Sequence, residues 1–209
     1  MAEITAQLVK DLRDRTGAGM MECKSALKEA NGDVAEAEVV LRKRGIASAG
    51  KKASRATKQG LIGSYIHHGG QLGVLVEVDC ESDFVARTDD FKELVHDVAM
   101  HIAAADPQFV RKEDVTAAVL DRERDIQKAR VIAEGKPEKM ADKIVEGRLQ
   151  KFYEEICLME QPFVKEPTLT IGQLVKTKIA KLGENITISR FIRFKVGDAV
   201  AESGDAAAE

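Results

Sequence analysis

Histidine is the residue type in this sequence best suited to metal binding or acid–base chemistry, and the chain has four of them. His67 and His68 are neighbours, so their side chains would point to opposite faces of a continuing strand. His96 and His101 are five positions apart, unlike the i,i+4 pair that binds a metal from one helix face. The histidine spacing therefore predicts no metal site.

Thiol chemistry would need a cysteine with an activating partner. Cys23, Cys80 and Cys157 are far apart and odd in number, and Cys80 has the acid Asp83 nearby but no base in place. Cysteines without metal-ligand spacing are typical of reduced thiols in a cytoplasmic protein. We therefore expect free thiols and no catalytic dyad.

Glycine-rich stretches could bind phosphate groups. Gly17-Ala18-Gly19 and Gly69-Gly70 lack the Lys-Ser/Thr of a phosphate loop, and the sequence contains no dinucleotide-binding fingerprint. The adjacent acids Asp89-Asp90 are expected to cap a helix. Since no set of residues converges on a reaction, the sequence predicts no enzyme, no cofactor and no direct nucleotide binding.

Charge and hydropathy limit the choice of partners. The formal net charge is −3, and no apolar run approaches the ~20 residues that span a bilayer. The N-terminal residues lack the basic and apolar regions of a signal peptide. We expect a cytoplasmic protein without a membrane partner.

One short segment is strongly basic. Residues 47–60 contain Lys51, Lys52, Arg55 and Lys58 and no acidic residue. Such a segment could contact RNA phosphates, which makes an RNA-binding or ribosome-associated protein the competing hypothesis. However, no stacking aromatic is interleaved, so a solvated linker is favoured and a nucleic-acid partner is not expected.

The elements around these residues begin with three short helices in residues 1–46. Thr5 can cap the first helix and Gly17 can end it. The second runs from Met20 to Asn31-Gly32. Asp33, with Glu36, caps the third, which Gly45 is expected to close. A bundle this small is more often a docking module than an enzyme.

Two methionines open the second helix. Met20 and Met21 are adjacent, and adjacent helical residues cannot both face one core. Either one is exposed, as suits a protein contact, or both pack at the seam with the first helix.

The larger domain is predicted over residues 61–197. Strands are expected at 61–66, 72–80 and 186–196, with a turn at His67-His68-Gly69-Gly70. Amphipathic helices are expected after Asp89-Asp90 and after Thr170. Phe191 breaks the alternation of the last strand, which indicates a bulge or burial on both faces. The fold class is α+β, a small antiparallel sheet backed by helices.

Two further segments complete the chain. Residues from about 113 to 155 are rich in charge and poor in apolar residues, and Gly135-Lys136-Pro137 interrupts them. This pattern predicts an inserted helical hairpin with a solvated surface and without a second core. Residues 198–209 are small and acidic, and we expect them to be disordered.

An aromatic residue follows the second predicted strand where the strand breaks at Ser82-Asp83. This residue is Phe84, in a chain with 4% aromatics and no Trp. General burial preferences favour a core position for it. The alternative is that Phe84 is an anchor offered to a partner.

Several motifs closely resemble the elongation factor Ts family, in order, from about residue 2 to 198. Position 82 is Ser where the family usually has Thr, and both residues carry a capping hydroxyl. The matching motifs are Ile4-Thr5-Ala6-Gln7-Leu8-Val9, Arg15-Thr16-Gly17-Ala18-Gly19-Met20-Met21-Glu22-Cys23-Lys24, Cys80-Glu81-Ser82-Asp83-Phe84-Val85-Ala86, Gly135-Lys136-Pro137, Val145-Glu146-Gly147-Arg148, Gln161-Pro162-Phe163-Val164, Gly183-Glu184-Asn185-Ile186 and Phe191-Ile192-Arg193-Phe194.

The resemblance implies a guanine-nucleotide exchange factor for elongation factor Tu that needs no cofactor or metal. It implies that the N-terminal helices form a ubiquitin-associated-type module that docks on the GTPase, and that the Asp83-Phe84 turn inserts near the nucleotide and its Mg²⁺. With one core set of strands and helices, the chain resembles the family's short form, which implies a homodimer. The implied partner-binding residues are Arg13, Met20, Met21, His67 or His68, Ser82, Asp83, Phe84, Val85, Leu182 and Gly183.

Overall fold

The computed structural model describes residues 4–136 and 138–198. Its first three helices are α1 (Ala6–Thr16), α2 (Met20–Glu29) and α3 (Val34–Lys52). Thr5 caps α1, Gly17 ends it with a φ of 66°, and Asp33 accepts a hydrogen bond from the backbone of Glu36. The three helices pack around their own apolar cluster, which includes Leu12, Cys23, Leu27, Ala37 and Val40.

Helix α3 is longer than the sequence predicted. Gly45 does not close it, and the helix continues to Lys52, so the first part of the predicted linker 47–60 is helical. Ala49 is buried in the core of the larger domain. The second half of α3 therefore belongs structurally to that core, and tertiary packing explains why the glycine does not end the helix. The division into domains stays a prediction.

The main sheet consists of three antiparallel strands, β1 (Gln59–Ile66), β2 (Leu72–Cys80) and β5 (Ile186–Lys195), close to the predicted ranges. Strand β2 lies in the middle, between β1 and β5. The pairing shifts where Glu77 faces Arg190 and Val78 faces Ile188. This bulge explains why Phe191 packs against the core on the same side as Ile188.

Two helices cover one face of the sheet, α5 (Asp89–Ala105) and α8 (Ile171–Leu182). Thr88 caps α5, so the prediction that Asp89-Asp90 would cap it is wrong. The two acids lie in the first turn instead, where they interact favourably with the helix dipole. Thr170 and Gly183 begin and end α8 as predicted.

The inserted hairpin consists of α6 (Ala117–Ala133) and α7 (Glu138–Ile156). It has a small core of its own, formed by Val131, Ala141, Val145 and Leu149, so the prediction of a hairpin without a second core is wrong. Sparse apolar residues suffice here because each helix needs to bury one narrow stripe.

Three short elements were not predicted from the sequence. The turn at Asp83–Ala86 is a four-residue helix, α4, and Pro162–Phe163 (β3) pairs with Glu166–Thr170 (β4). Except for Asp198, the acidic segment 198–209 lies outside the described residues. Among the residues that are described, no helix is long and apolar enough to cross a membrane.

Candidate functional site

The turn that carries Phe84 is held by a carboxylate from a distant part of the chain. Glu184 accepts a hydrogen bond from the Ser82 backbone N–H at 2.9 Å and another from the Ser82 hydroxyl at 2.6 Å. The same hydroxyl accepts a bond from the N–H of Val85 and so caps α4. The end of β2 is thereby fixed to the loop between α8 and β5.

A second set of hydrogen bonds lies next to this contact. The carboxylate of Glu81 accepts a bond from the Asn185 backbone N–H at 2.6 Å and forms an ion pair with Arg55. The Asn185 amide donates at 2.8 Å to the carbonyl of Arg55 and at 3.4 Å to that of Ala53. The Asn185 backbone N–H and the Arg55 guanidinium hold the pKa of Glu81 below its usual range. These contacts join the segment after α3 to both the β2 end and the β5 start.

Phe84 itself is exposed, with 78% of its surface accessible. The core position favoured by general burial preferences is therefore wrong. Ala86, two residues on, is buried and anchors α4 to the main core, while Val85 is half-buried. Beside the ring, Asp83 and Arg87 form an ion pair of 2.8 Å one helical turn apart. The turn thus presents an aromatic ring next to a solvent-exposed pair of charges.

The two methionines of α2 are both exposed, Met20 by 44% and Met21 by 76%. The expectation that both pack at the α1 seam is therefore wrong, and the alternative, an exposed methionine at this helix start, is confirmed for both residues. At the start of α2, the Glu22 carboxylate accepts a hydrogen bond from the Gly19 N–H. Arg13 is exposed in the last turn of α1.

The end of α8 lies close both to the Phe84 turn and to the turn before the methionines of α2. The turn before Met20 contacts α8, since the side chain of Lys181 lies against Gly17. Half-buried Leu182 and exposed Gly183 follow, and then Glu184 reaches Ser82. Predicted residues from both regions therefore lie around one helix end.

His67 and His68 are not part of this region. Both are exposed in the turn between β1 and β2, and His67 contacts the Tyr65 hydroxyl at 3.0 Å through Nδ1. The length of β2, nine residues, separates this turn from Ser82, which corresponds to about 26 Å at about 3.3 Å per residue. The histidines could contact only a different part of a partner.

The buried histidine and cysteines have structural roles. His101 is fully buried, accepts a bond from the Val164 N–H at 3.3 Å and shares a bond of 3.0 Å with Gln161. Burial lowers the pKa of His101 and raises that of the Cys157 thiol to about 11. Among the side chains that the structure describes, no three of His, Cys, Asp or Glu are grouped to hold a metal ion.

Sequence reasoning missed the residues that hold the Phe84 turn. Glu184 and Ser82 are 102 positions apart, and local patterns carry no signal for such a pairing. Glu81, Glu184 and Asn185 do lie within motifs that resemble the family, so those motifs were the available signal. Arg55 was considered as part of a basic segment, but its ion pair with Glu81 leaves that segment with fewer free cations.

Comparisons with known proteins agree with this arrangement of motifs. The family model described as elongation factor TS matches residues 6–201. An elongation factor Ts of Solibacter usitatus is 82% identical over 199 residues, covering 95% of this chain and 94% of the relative. Those of Koribacter versatilis and Carboxydothermus hydrogenoformans are 63% and 55% identical, covering 93% and 95% of this chain and 89% and 92% of the relatives. Since the match extends over nearly the whole chain, this protein belongs to the elongation factor Ts family.

Proposed function

We propose that this chain is a non-catalytic guanine-nucleotide exchange factor that binds elongation factor Tu with GDP and promotes release of the GDP. The Asp83-Phe84 turn inserts near the nucleotide and the Mg²⁺ of the GTPase. The observation that carries the proposal is the exposed ring of Phe84 on a turn fixed by Glu184.

An exposed Phe at a fixed position suits binding to a partner. Leaving this ring in water forgoes about 1.5–3 kcal/mol of burial free energy, and a complex recovers it when the ring enters an apolar pocket. Because hydrogen bonds already fix Ser82 and α4, little conformational entropy is lost when the turn binds. Buried aromatics of this kind often supply much of the affinity of an interface.

Exchange by this route requires no acid, base or metal from the chain. A GTPase holds GDP through its phosphate loop and Mg²⁺. A turn that displaces these elements weakens nucleotide binding, and by thermodynamic linkage the nucleotide weakens binding of the turn by the same factor. Asp83 and Arg87, paired beside the ring, can re-pair with charges of the partner.

The three-helix bundle provides the second contact in this proposal. Met20 and Met21 form an exposed apolar surface with flexible side chains, which adapts well to a protein surface. Arg13 adds a charge on the same bundle. Leu182 and Gly183 follow Lys181, which lies against Gly17, and precede Glu184, which holds the Phe84 turn. The histidines of the β1–β2 turn would contact a separate region, and which of the two does so is left open.

A homodimer is the third part of the proposal. The face of the sheet opposite α5 and α8 carries exposed apolar side chains beside the Glu77–Arg190 ion pair, and its strands are in register, with Leu75 opposite Ile192 and Gly73 opposite Phe194. Two such faces can pack about 10 Å apart, as in sheet-on-sheet cores. The exposed apolar residues of this outer sheet face are Ile62, Ile66, Leu75, Ile192, Phe194 and Val196.

Release of fluorescent GDP from elongation factor Tu tests the exchange function. The wild-type chain should accelerate release strongly, and Phe84→Ala should reduce the acceleration at a fixed concentration by about tenfold or more. Val164→Ala is the matched control, since it truncates another exposed apolar side chain away from the turn. If wild type has no effect at micromolar concentration, the exchange function is refuted. If both variants match wild type, the role of Phe84 is refuted.

A further inference from the structure

Helices α3 and α8 approach each other closely at a glycine. A Cβ atom added to Gly45 would lie 2.9 Å from the Cβ of Ala180, closer than real Cβ atoms approach. A glycine inside a helix costs about 1 kcal/mol relative to alanine. The contact therefore depends on a residue that weakens the helix in which it lies.

Helix α3 contains a second glycine, Gly50, which is not packed against another helix. Gly50 is exposed, and nothing lies within 4 Å of the position of its Cβ. An added methyl group is tolerated there and gains helix propensity. Close packing against α8 is thus a property of Gly45 and is not shared by every glycine of α3.

Other contacts also determine how the bundle is oriented, since Ala49 of α3 is buried in the core of the sheet domain. The side chain of Lys181 passes over Gly17, and its ammonium group is held by Asp90 at 2.7 Å. Next to the α3–α8 contact, a cleft of about 510 Å³ separates the two units, with Glu38 on one side and Leu169 on the other. Because a cleft lies along part of the boundary, the orientation rests on the packing of α3 against α8 and the main core, and on the turn at Gly17.

We propose that Gly45 is a positioning residue that sets the angle between the three-helix bundle and the sheet domain. This angle places Met20 and Met21 at the correct distance from Phe84 for both regions to contact one partner. The inference rests on the proposed exchange function. It extends that function by assigning a role to a residue that need not touch the partner.

Two substitutions, which together move one methyl group from α8 to α3, test this role. Gly45→Ala should raise the concentration of the chain that gives half-maximal acceleration of GDP release by about three- to tenfold, with an unchanged maximal rate, because the loss affects binding and not the insertion of Phe84. Adding Ala180→Gly to this variant moves the methyl to the other helix and should restore the wild-type concentration. Gly50→Ala, the matched control, should behave as wild type.

A distance measurement tests the orientation without the partner. Spin labels at Lys10→Cys and Lys92→Cys, exposed positions in α1 and α5, report the distance between the two units, and the three natural cysteines are buried. The distance distribution should shift or broaden in Gly45→Ala and return in the double variant.

The two readouts give distinguishable failures. A Gly45→Ala distribution identical to that of Gly50→Ala would overturn the inference, and so would a shifted distribution with an unchanged half-maximal concentration. If the wild-type chain does not accelerate GDP release, the exchange function fails, while a shifted distribution would still support the control of orientation by Gly45.

Discussion

Glu184 and Ser82 are joined by two hydrogen bonds although 102 positions of sequence separate them. One comes from the Ser82 backbone and the other from its hydroxyl, so a single carboxylate satisfies both donors of the residue that caps α4. This contact fixes the place where the chain leaves β2 and turns toward Phe84. The position of the exposed ring therefore depends on a residue after α8.

Replacing Glu184 should loosen the Phe84 turn. Glu184→Ala leaves the Ser82 N–H without its partner and should lower the free energy of unfolding by about 1–3 kcal/mol. Acceleration of GDP release should fall as well, since a mobile turn loses more entropy on binding. Glu184→Gln keeps one acceptor oxygen and should lie between wild type and Glu184→Ala. Urea unfolding and GDP release measure the two effects, and full exchange activity in Glu184→Ala would contradict the need for a fixed turn.

Ser82 should tolerate only a residue that keeps its hydroxyl. Ser82→Ala removes the cap of α4 and the hydroxyl bond to Glu184, and it should cost about 1 kcal/mol of stability. Ser82→Thr retains a hydroxyl in the same position and should remain close to wild type in unfolding and in GDP release. Equal losses in the two variants would show that the capping hydroxyl is not what the position requires.

A charge on the outer sheet face should dissociate the proposed homodimer. Phe194→Lys places an ammonium group within a surface that would be buried between two copies, where an unpaired charge is strongly unfavourable. Sedimentation should show a dimer for wild type and a monomer for Phe194→Lys. Ile132→Lys is the matched control, because Ile132 in the hairpin is exposed to a similar degree, 57% against 61%. A dimeric Phe194→Lys, or a monomeric wild type, would contradict the proposed interface.

Local sequence signals determined much of the fold. Thr5, Asp33 and Thr170 begin helices, and Gly17 and Gly183 end them, as the sequence predicted. Each of these effects depends on hydrogen bonds or backbone angles within about four residues. The strand ranges were also close to correct, because alternating apolar residues mark the covered face of the sheet.

The errors concern residues whose surroundings come from distant parts of the chain. Gly45 resembles a helix end in sequence, but it faces Ala180 in the middle of a helix. Phe84 is of a residue type that is usually buried, but its side chain is exposed. Glu184 carries no local signal for its contact with Ser82. In each case the deciding contact is made in the tertiary fold, which local propensity does not encode.

His101 should make the stability of the protein depend on pH. In the unfolded chain its imidazole takes up a proton as the pH falls through about 6.5. In the folded chain, burial lowers the pKa, and Nδ1 must stay unprotonated to accept the Val164 N–H. The unfolded state then binds more protons than the folded state, so the stabilisation is present above pH 6.5 and is lost as the pH falls toward the lowered pKa.

This dependence can be measured as the free energy of unfolding between pH 7.5 and 5.5. Wild type should lose stability toward pH 5.5 with a slope of at most about 1.4 kcal/mol per pH unit from this group. His101→Gln cannot titrate there but can accept from Val164 and donate to Gln161, so its curve should be flatter even if its stability is lower throughout. His68→Gln, at an exposed position, should keep the wild-type slope. Equal slopes in wild type and His101→Gln would mean that the buried imidazole is not the source of the dependence.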